Sequence, residues 1–123
     1  MNMVLVDTSV WIDHLRSSNA GLVALLEEGT VLCHPFVVGE VACGNLRQRE
    51  TVLALLNALP VAAEAQHHEV LLFLERHQLF GKGVGLIDIH LLASAALSGA
   101  RIWTLDQRVA EAAETLGLSC RPE

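Results

Sequence analysis

The sequence predicts an α/β fold, a sandwich in which helices cover both faces of a mainly parallel sheet. Short apolar runs rich in β-branched residues alternate along the chain with longer stretches of helical periodicity. Strands that alternate with helices form parallel sheets, because each helix carries the chain back across the sheet. With 123 residues, of which 52% are hydrophobic, the chain can bury a sizeable core, and we expect one domain over 1–123.

The first half of the chain predicts two buried strands and three helices. Asp7, Thr8 and Ser9 have the side chains that are typical of helix N-termini. Gly29 is a helix stop signal, and Pro35 suits a first helical turn. In order, the elements are a strand at 3–6, a helix from 8 or 9 through 15, a helix at 21–28, a strand at 31–33 and a helix that starts at 35 and carries Glu40.

The second half predicts four further helices and up to three strands. Pro60 separates two stretches of helical periodicity, and the glycine-rich loop 81–85 separates the second stretch from the next helix. The loop lacks the Gly-x-x-x-x-Gly-Lys-Ser/Thr pattern, so a nucleotide-binding P-loop is not supported. In order, the elements are a helix at 48–58, a possible strand at 61–63, helices at 66–79 and 86–97, a strand at 101–105, a helix at 107–116 and a strand at 118–120.

Composition and charge narrow the class of protein. The formal net charge of −6 argues against broad nonspecific affinity for nucleic acid, which depends on Lys and Arg. Cys33, Cys43 and Cys120 form no Cys-x-x-Cys pair, so neither a disulfide framework nor a zinc ribbon is predicted. No apolar run reaches the ~18 residues of a membrane span, and the N-terminus has no signal-peptide pattern. We therefore expect a soluble cytoplasmic protein with reduced thiols and no membrane partner.

Four acidic residues lie within or directly after apolar segments: Asp7, Glu40, Asp88 and Asp106. Asp7 and Asp106 each follow a predicted strand, and α/β proteins bind ligands outside the carboxyl ends of parallel strands. Two carboxylates ~4 Å apart repel by about 4 kcal/mol at an effective dielectric of 20. Mg²⁺ and Mn²⁺ prefer such hard oxygen ligands and remove that repulsion. The sequence therefore predicts a divalent-cation site, which favours metal-assisted phosphodiester hydrolysis.

Each of these carboxylates also has a purely structural interpretation. Asp7 and Asp106 are both placed to cap the helix that follows, and Glu40 could be an ordinary helix residue. Asp88 shares a helix face with apolar and small residues, where an unpartnered charge is costly. A metal ion or a basic partner is therefore expected beside Asp88. The histidines that lack a recognisable triad partner are interpreted as structural or surface residues: His14, His34 and His90.

Four segments of the chain resemble motifs of the PIN-domain family, and specifically of the VapC toxins of bacterial toxin–antitoxin pairs. They occur in the family's order and spacing and extend from one end of the chain to the other. The segments are 4–13 (VLVDTSVWID), 38–41 (VGEV), 85–93 (GLIDIHLLA) and 103–106 (WTLD). The resemblance implies a PIN-like three-layer α/β/α sandwich with a central, mainly parallel sheet.

The resemblance also implies an endoribonuclease that depends on Mg²⁺, for which Mn²⁺ substitutes. Asp7, Glu40, Asp88 and Asp106 would be its catalytic and metal-binding acids, and a metal-activated water would hydrolyse the RNA phosphodiester bond. Many relatives have a further Asp where this chain has Arg108. One ion is therefore expected, and a second ion is left open.

Supporting residues and partners follow from the same resemblance. Hydroxyl groups beside the first and last acids could orient carboxylates or water, and basic residues near the mouth of the site could contact phosphate. The candidates are Thr8, Ser9 and Thr104 for the hydroxyls, and Arg16, Lys82 and Arg108 for the basic groups. The family implies an RNA substrate, a homodimer and a cognate VapB-like antitoxin, and the high apolar content agrees with such interfaces.

Two other functions stay open at this point. The first is a catalytically weak PIN module that acts as an RNA-binding or protein-binding partner, although the chain has all four acids. The second is an aspartyl phosphatase with Asp7 as its covalent nucleophile. Enzymes of that kind have another acid two residues after the nucleophile, and this chain has Ser9 there, which disfavours the phosphatase.

Overall fold

The computed structural model describes residues 2–122 and contains three strands and seven helices over that range. The strands are β1 (Val4–Val6), β2 (Val31–Leu32) and β3 (Arg101–Trp103). The helices are α1 (Thr8–Ser17), α2 (Ala20–Glu28), α3 (Pro35–Ala42), α4 (Arg49–Ala58), α5 (His67–Arg76), α6 (Leu86–Leu97) and α7 (Gln107–Thr115). The three strands are parallel and lie in the order β2-β1-β3, with helices around them, which confirms the predicted fold class.

The central strand β1 places the first acid beside the loop that follows β3. Leu5 pairs with Leu32 of β2 on one side and with Ile102 of β3 on the other, and all three side chains are buried. The Asp7 backbone N–H donates to the Trp103 carbonyl oxygen at 2.9 Å. The carboxyl ends of β1 and β3 therefore lie side by side.

Single bridges extend the sheet at both edges where the sequence predicts further strands. Cys33 pairs with Val61, and Ile102 pairs with Ser119, in both cases in parallel. Pro60 has no N–H to donate, and the Ala63 N–H donates to Ser98 Oγ at 2.9 Å instead of to a strand. The segment 61–63 therefore forms one pair rather than a strand, and the segment 118–120 likewise forms a single pair.

Two predicted elements end early. β3 ends at Trp103 rather than at residue 105, because the Leu105 N–H turns away and donates to Ser9 Oγ at 2.9 Å. α5 ends at Arg76 rather than at residue 79, because Gln78 takes a left-handed conformation with φ 53°. In contrast, α6 occupies the predicted range 86–97. Among residues 2–122, no helix combines the length and apolar content that crossing a membrane requires.

Candidate active site

Asp7 is a buried carboxylate held by two hydroxyl groups at the carboxyl end of β1. Its side chain is 5% exposed, and its Oδ2 accepts hydrogen bonds from Ser9 Oγ and Thr104 Oγ1, both at 2.7 Å. Asp7 stands at the N-cap position of α1, but its side chain makes no capping hydrogen bond within the described residues. Its burial therefore serves something other than helix capping.

The two hydroxyl groups are fully committed to this arrangement. Ser9 Oγ donates to Asp7 and accepts from the Leu105 N–H, and Thr104 Oγ1 donates to Asp7 and accepts from the Asp106 N–H at 3.0 Å. Each hydroxyl has one proton, so the 3.3 Å contact between Ser9 and Thr104 has no proton left to share. The network fixes the orientation of Asp7 and ties the start of α1 to the turn after β3.

Glu40 is fixed by the remaining hydroxyl of the first motif. Its Oε1 accepts from Thr8 Oγ1 at 2.8 Å, which links α3 to the first turn of α1. α3 starts where it does because Pro35 occupies the first turn and His34 Nδ1 accepts from the Phe36 N–H at 3.0 Å. Glu40 lies one and a half turns into that helix and is partly buried.

Asp88 lies in the first turn of α6, where the charges of the other three acids act on it. Its Oδ2 accepts from the Gly85 N–H at 3.0 Å. Burial raises the pKa of the Asp88 carboxyl, the nearby charges of Asp7, Asp106 and Glu40 raise it further, and the Gly85 hydrogen bond opposes them. Asp88 is therefore close enough to each of the other three acids for their charges to disfavour its own at the carboxyl edge of the sheet.

Asp106 has the structural role that the sequence left open. It is the N-cap of α7, where its Oδ1 accepts from the Arg108 N–H at 2.9 Å and from the Val109 N–H at 3.3 Å. Its side chain is exposed. Only Oδ1 takes part in the cap, so Oδ2 is left for another partner.

The donor set fits a hydrated divalent ion better than a closed carboxylate cage. Across residues 2–122, no three His, Cys, Asp or Glu side chains lie close enough to hold a metal ion together. Mg²⁺, however, commonly uses one or two carboxylates and keeps several waters. The oxygen-only chemistry of the four acids and their mutual repulsion at Asp88 both suit such an ion.

The three predicted basic residues are exposed and line two separate cavities. Lys82 and Arg108 line a small cavity of about 140 Å³ together with Glu111. The Arg108 side chain covers Gly83, where an added Cβ would lie 2.6 Å from Arg108 Nη1. Arg16 lines a different and larger cavity.

Two features of this region were not predicted from the sequence. The Gly85 N–H holds Asp88, and the only sequence signal for it was a glycine directly before the predicted helix. Arg47 lines the same cavity as Arg16, and nothing in its local sequence distinguishes it from a solvated surface arginine.

Comparison with known proteins agrees with this geometry. A family model described as PIN domain matches residues 4–115. The chain is 46% identical over 122 residues to Ribonuclease VapC32 of Mycobacterium tuberculosis, in strains CDC 1551 / Oshkosh and H37Rv, and the match covers 98% of each chain.

Two solved structures share the fold at low sequence identity. FitAcB from Neisseria gonorrhoeae has a TM-score of 0.61 at 22% identity, over 91% of this chain and 94% of that chain. PAE2754 from Pyrobaculum aerophilum has a TM-score of 0.61 at 16% identity, over 94% of this chain and 86% of that chain. The predicted resemblance is thus confirmed, and the chain belongs to the PIN-domain family and, within it, to the VapC ribonucleases.

Proposed function

We propose that residues 1–123 form one nuclease domain that hydrolyses RNA phosphodiester bonds with Mg²⁺ or Mn²⁺, as the toxin of a toxin–antitoxin pair. Asp7, Glu40, Asp88 and Asp106 are the proposed catalytic and metal-binding acids. The observation that carries the proposal is the Asp7 carboxylate, which is 5% exposed at the carboxyl end of β1 and is held by Ser9 and Thr104 without capping α1. A buried carboxylate with no basic partner within 4.0 Å among residues 2–122 favours a cation as its partner.

The protein's own groups prepare the site in this mechanism. A divalent ion bound there would lower the pKa of a coordinated water and neutralise charge that develops on the phosphate. Ser9 and Thr104 hold one oxygen of Asp7 and leave Oδ1 without a hydrogen bond from the described residues. The Thr8 hydroxyl holds one oxygen of Glu40, and the Gly85 N–H holds one oxygen of Asp88. These hydrogen bonds orient three of the four acids before the ion and substrate bind. Because no three acids within 2–122 lie close enough to share an ion directly, waters on the ion would complete the contacts.

A side-chain nucleophile is disfavoured by the same hydrogen bonds. Ser9 and Thr104 each donate their only proton to Asp7, and each accepts a backbone N–H. Aspartyl phosphatases have a second acid two residues after the nucleophile, whereas this chain has Ser9 there, and the Ser9 hydroxyl donates to Asp7. We therefore favour attack by water over an aspartyl phosphatase mechanism.

Partners and location complete the proposal. The name of the relative Ribonuclease VapC32 supports an RNA substrate and a cognate VapB-like antitoxin. Leu72 and Leu97, exposed at 66% and 55%, line an apolar cleft between α5 and α6, and this surface supports a homodimer. The three cysteines are free, which agrees with the reducing cytoplasm.

The decisive experiment is cleavage of total RNA by the purified chain with Mg²⁺ or Mn²⁺, then with a chelator, beside Asp88→Asn. The asparagine side chain keeps an oxygen for the Gly85 N–H but removes the charge, so we expect cleavage to require the ion and to disappear in the variant. Circular dichroism checks that the variant is folded. Cleavage that survives both chelation and Asp88→Asn would reject the proposal. Phosphate trapped covalently on Asp7 would favour the phosphatase, and RNA binding without any cleavage would favour the catalytically weak module.

A further inference from the structure

A cavity of about 480 Å³ lies between α1 and the turn that follows α3. Its apolar lining comes from Ile12, Leu15 and Leu46, and its basic lining comes from Arg16 and Arg47. We call these five residues the arginine cavity. None of the four proposed catalytic acids lines it, so it is a separate feature of the surface.

The arginine cavity lies further along α1, and beyond the end of α3, than the residues that these two helices place at the acidic site. We define the acidic site as the four proposed catalytic acids: Asp7, Glu40, Asp88 and Asp106. The Thr8–Glu40 hydrogen bond joins α1 and α3 at the acidic site. Ile12 lies one turn after Thr8, and Gly44, which also lines the cavity, lies one turn after Glu40. From Thr8 to Arg16 the helix axis advances about 12 Å at about 1.5 Å per residue. An RNA strand that leaves the acidic site along α1 would reach Arg16 within a few nucleotides.

The arginine cavity brings two positive charges together in a chain whose formal net charge is −6. Like the other Lys and Arg residues of 2–122 apart from Arg121, neither Arg16 nor Arg47 has a carboxylate within 4.0 Å, so neither guanidinium is held in an ion pair. The nearest acid on α1, Asp13, does not line the cavity and accepts a hydrogen bond from Asn19 Nδ2 at 3.0 Å. Arg49 adds a third positive charge beside the arginine cavity. Its guanidinium donates hydrogen bonds to the carbonyl oxygens of Ala42 and Gly44.

We propose that the arginine cavity binds backbone phosphates of the RNA strand on one side of the scissile bond. The inference rests on the proposed function and adds the path of the substrate to it. Arginine suits this role because its planar guanidinium binds phosphate through two parallel hydrogen bonds. The apolar lining accepts the sugar or base faces between the phosphates, as in other grooves for single strands. The acidic site binds the reacting phosphate through the ion, and the arginine cavity fixes the direction of the strand.

The test compares two double variants that each lose two positive charges. Arg16→Gln/Arg47→Gln removes the charges of the cavity. Arg101→Gln/Arg121→Gln is the matched control, because Arg101 begins β3 at the end of the strand away from the acids and Arg121 pairs with Glu114 at 3.4 Å, and neither lines the cavity. Both pairs are made in the Asp88→Asn chain for binding and in the wild-type chain for cleavage. The probe is a short single-stranded RNA of mixed sequence labelled for fluorescence anisotropy.

We expect the cavity variant to make the salt dependence of RNA binding shallower by about 1.4 in log K against log salt, at about 0.7 per lost phosphate contact. In the wild-type chain the same changes should raise KM several-fold and leave kcat within about twofold, since uniform binding is lost. The control pair should change neither quantity. Circular dichroism again checks folding.

An unchanged salt slope and an unchanged KM in the cavity variant would overturn the inference. A fall in kcat with unchanged KM would overturn it as well, because it would place the arginines in the chemistry. If the wild-type chain cleaves no RNA with Mg²⁺ or Mn²⁺, the proposed function fails first. If the wild-type chain cleaves RNA but the cavity variant behaves like the control variant, the proposed function stands and this inference fails.

Discussion

The turn between β1 and α1 and the turn between β3 and α7 have the same sequence plan but use their aspartates differently. Asp7 and Asp106 each follow a parallel strand and each occupy the N-cap position of the next helix. Asp106 caps its helix through two backbone N–H groups and is exposed. Asp7 caps nothing among residues 2–122 and is buried under two hydroxyl groups. An Asp at a helix start is therefore informative when its carboxylate does not make the cap.

The comparison predicts different sensitivity to removal of charge. Asp7→Asn should lower RNA cleavage by roughly 100-fold or more, because several kcal/mol of charge stabilisation depend on the ion that Asp7 helps to bind. Asp106→Asn keeps the cap, since Asn is as good an N-cap as Asp. It should cost less activity than Asp7→Asn. Initial rates at saturating Mg²⁺ measure both, and equal losses would mean that the two turns do not differ in function.

The hydroxyl groups around Asp7 give the next largest effect. Thr104→Val removes one hydrogen bond to Asp7 and should lower metal affinity or activity by about 10- to 100-fold, as for other groups that orient metal ligands. Thr104→Ser keeps the hydroxyl and is the matched control. Titration of Mn²⁺ against cleavage rate separates lost affinity from lost turnover. A valine variant with the metal dependence and rate of the serine variant would show that this hydrogen bond does not orient Asp7.

The aspartate of the β3–α7 turn should matter for stability through its cap rather than through its charge. Asp106→Ala removes the α7 cap and should lower the free energy of unfolding by about 1 kcal/mol, whereas Asp106→Asn should not. Urea unfolding monitored by circular dichroism measures the difference without metal present. Equal stability of the Ala and Asn variants would mean that the cap contributes little and that Asp106 serves the site alone.

The sequence predicted the candidate acids but not which hydroxyl group contacts which acid. Asp7 and Asp106 were identified because each follows an apolar strand, and α6 was bounded correctly because a long apolar run follows Gly85. Thr104 and Ser9 are 95 residues apart, and their meeting at Asp7 depends on β1 pairing with β3. Strand order is a property of the whole sheet, so no local pattern shows which hydroxyl faces which acid.

The pairing at the edges of the sheet and the lining of the arginine cavity also could not be predicted from local sequence patterns. Two predicted edge strands reduce to one bridge each, and at 61–63 the reason is that the Ala63 N–H donates to Ser98 instead of to a strand. Arg47 lies 31 residues after Arg16, and the packing of α1 against α3 brings the two to one cavity. Composition indicated few positive charges, but only the fold shows that two of them line one cavity.

The smallest predicted effect concerns pH and the shared charge at the carboxyl edge. The pKa of Asp88 is raised above its ordinary value of 3.8, so the folded state binds its proton more tightly than the unfolded state does. The resulting stabilisation is complete below that ordinary value and is lost as pH rises through the folded pKa. In a chelator, the wild-type chain should therefore lose stability relative to Asp88→Asn as pH rises through this range, and the difference should then level off.

Mg²⁺ or Mn²⁺ should reverse that difference at neutral pH, because an ion that binds only the folded chain stabilises it by mass action. Asp13→Asn makes the same chemical change on α1 beside Asn19 and serves as the matched control. It should keep the wild-type response to the ion, whereas Asp88→Asn should lose it. Urea unfolding with and without the ion measures both responses. If wild-type and Asp88→Asn chains gain equal stability from the ion, the charge concentrated around Asp88 is not what binds it, and the contrast between the two turns would have to be explained by packing alone.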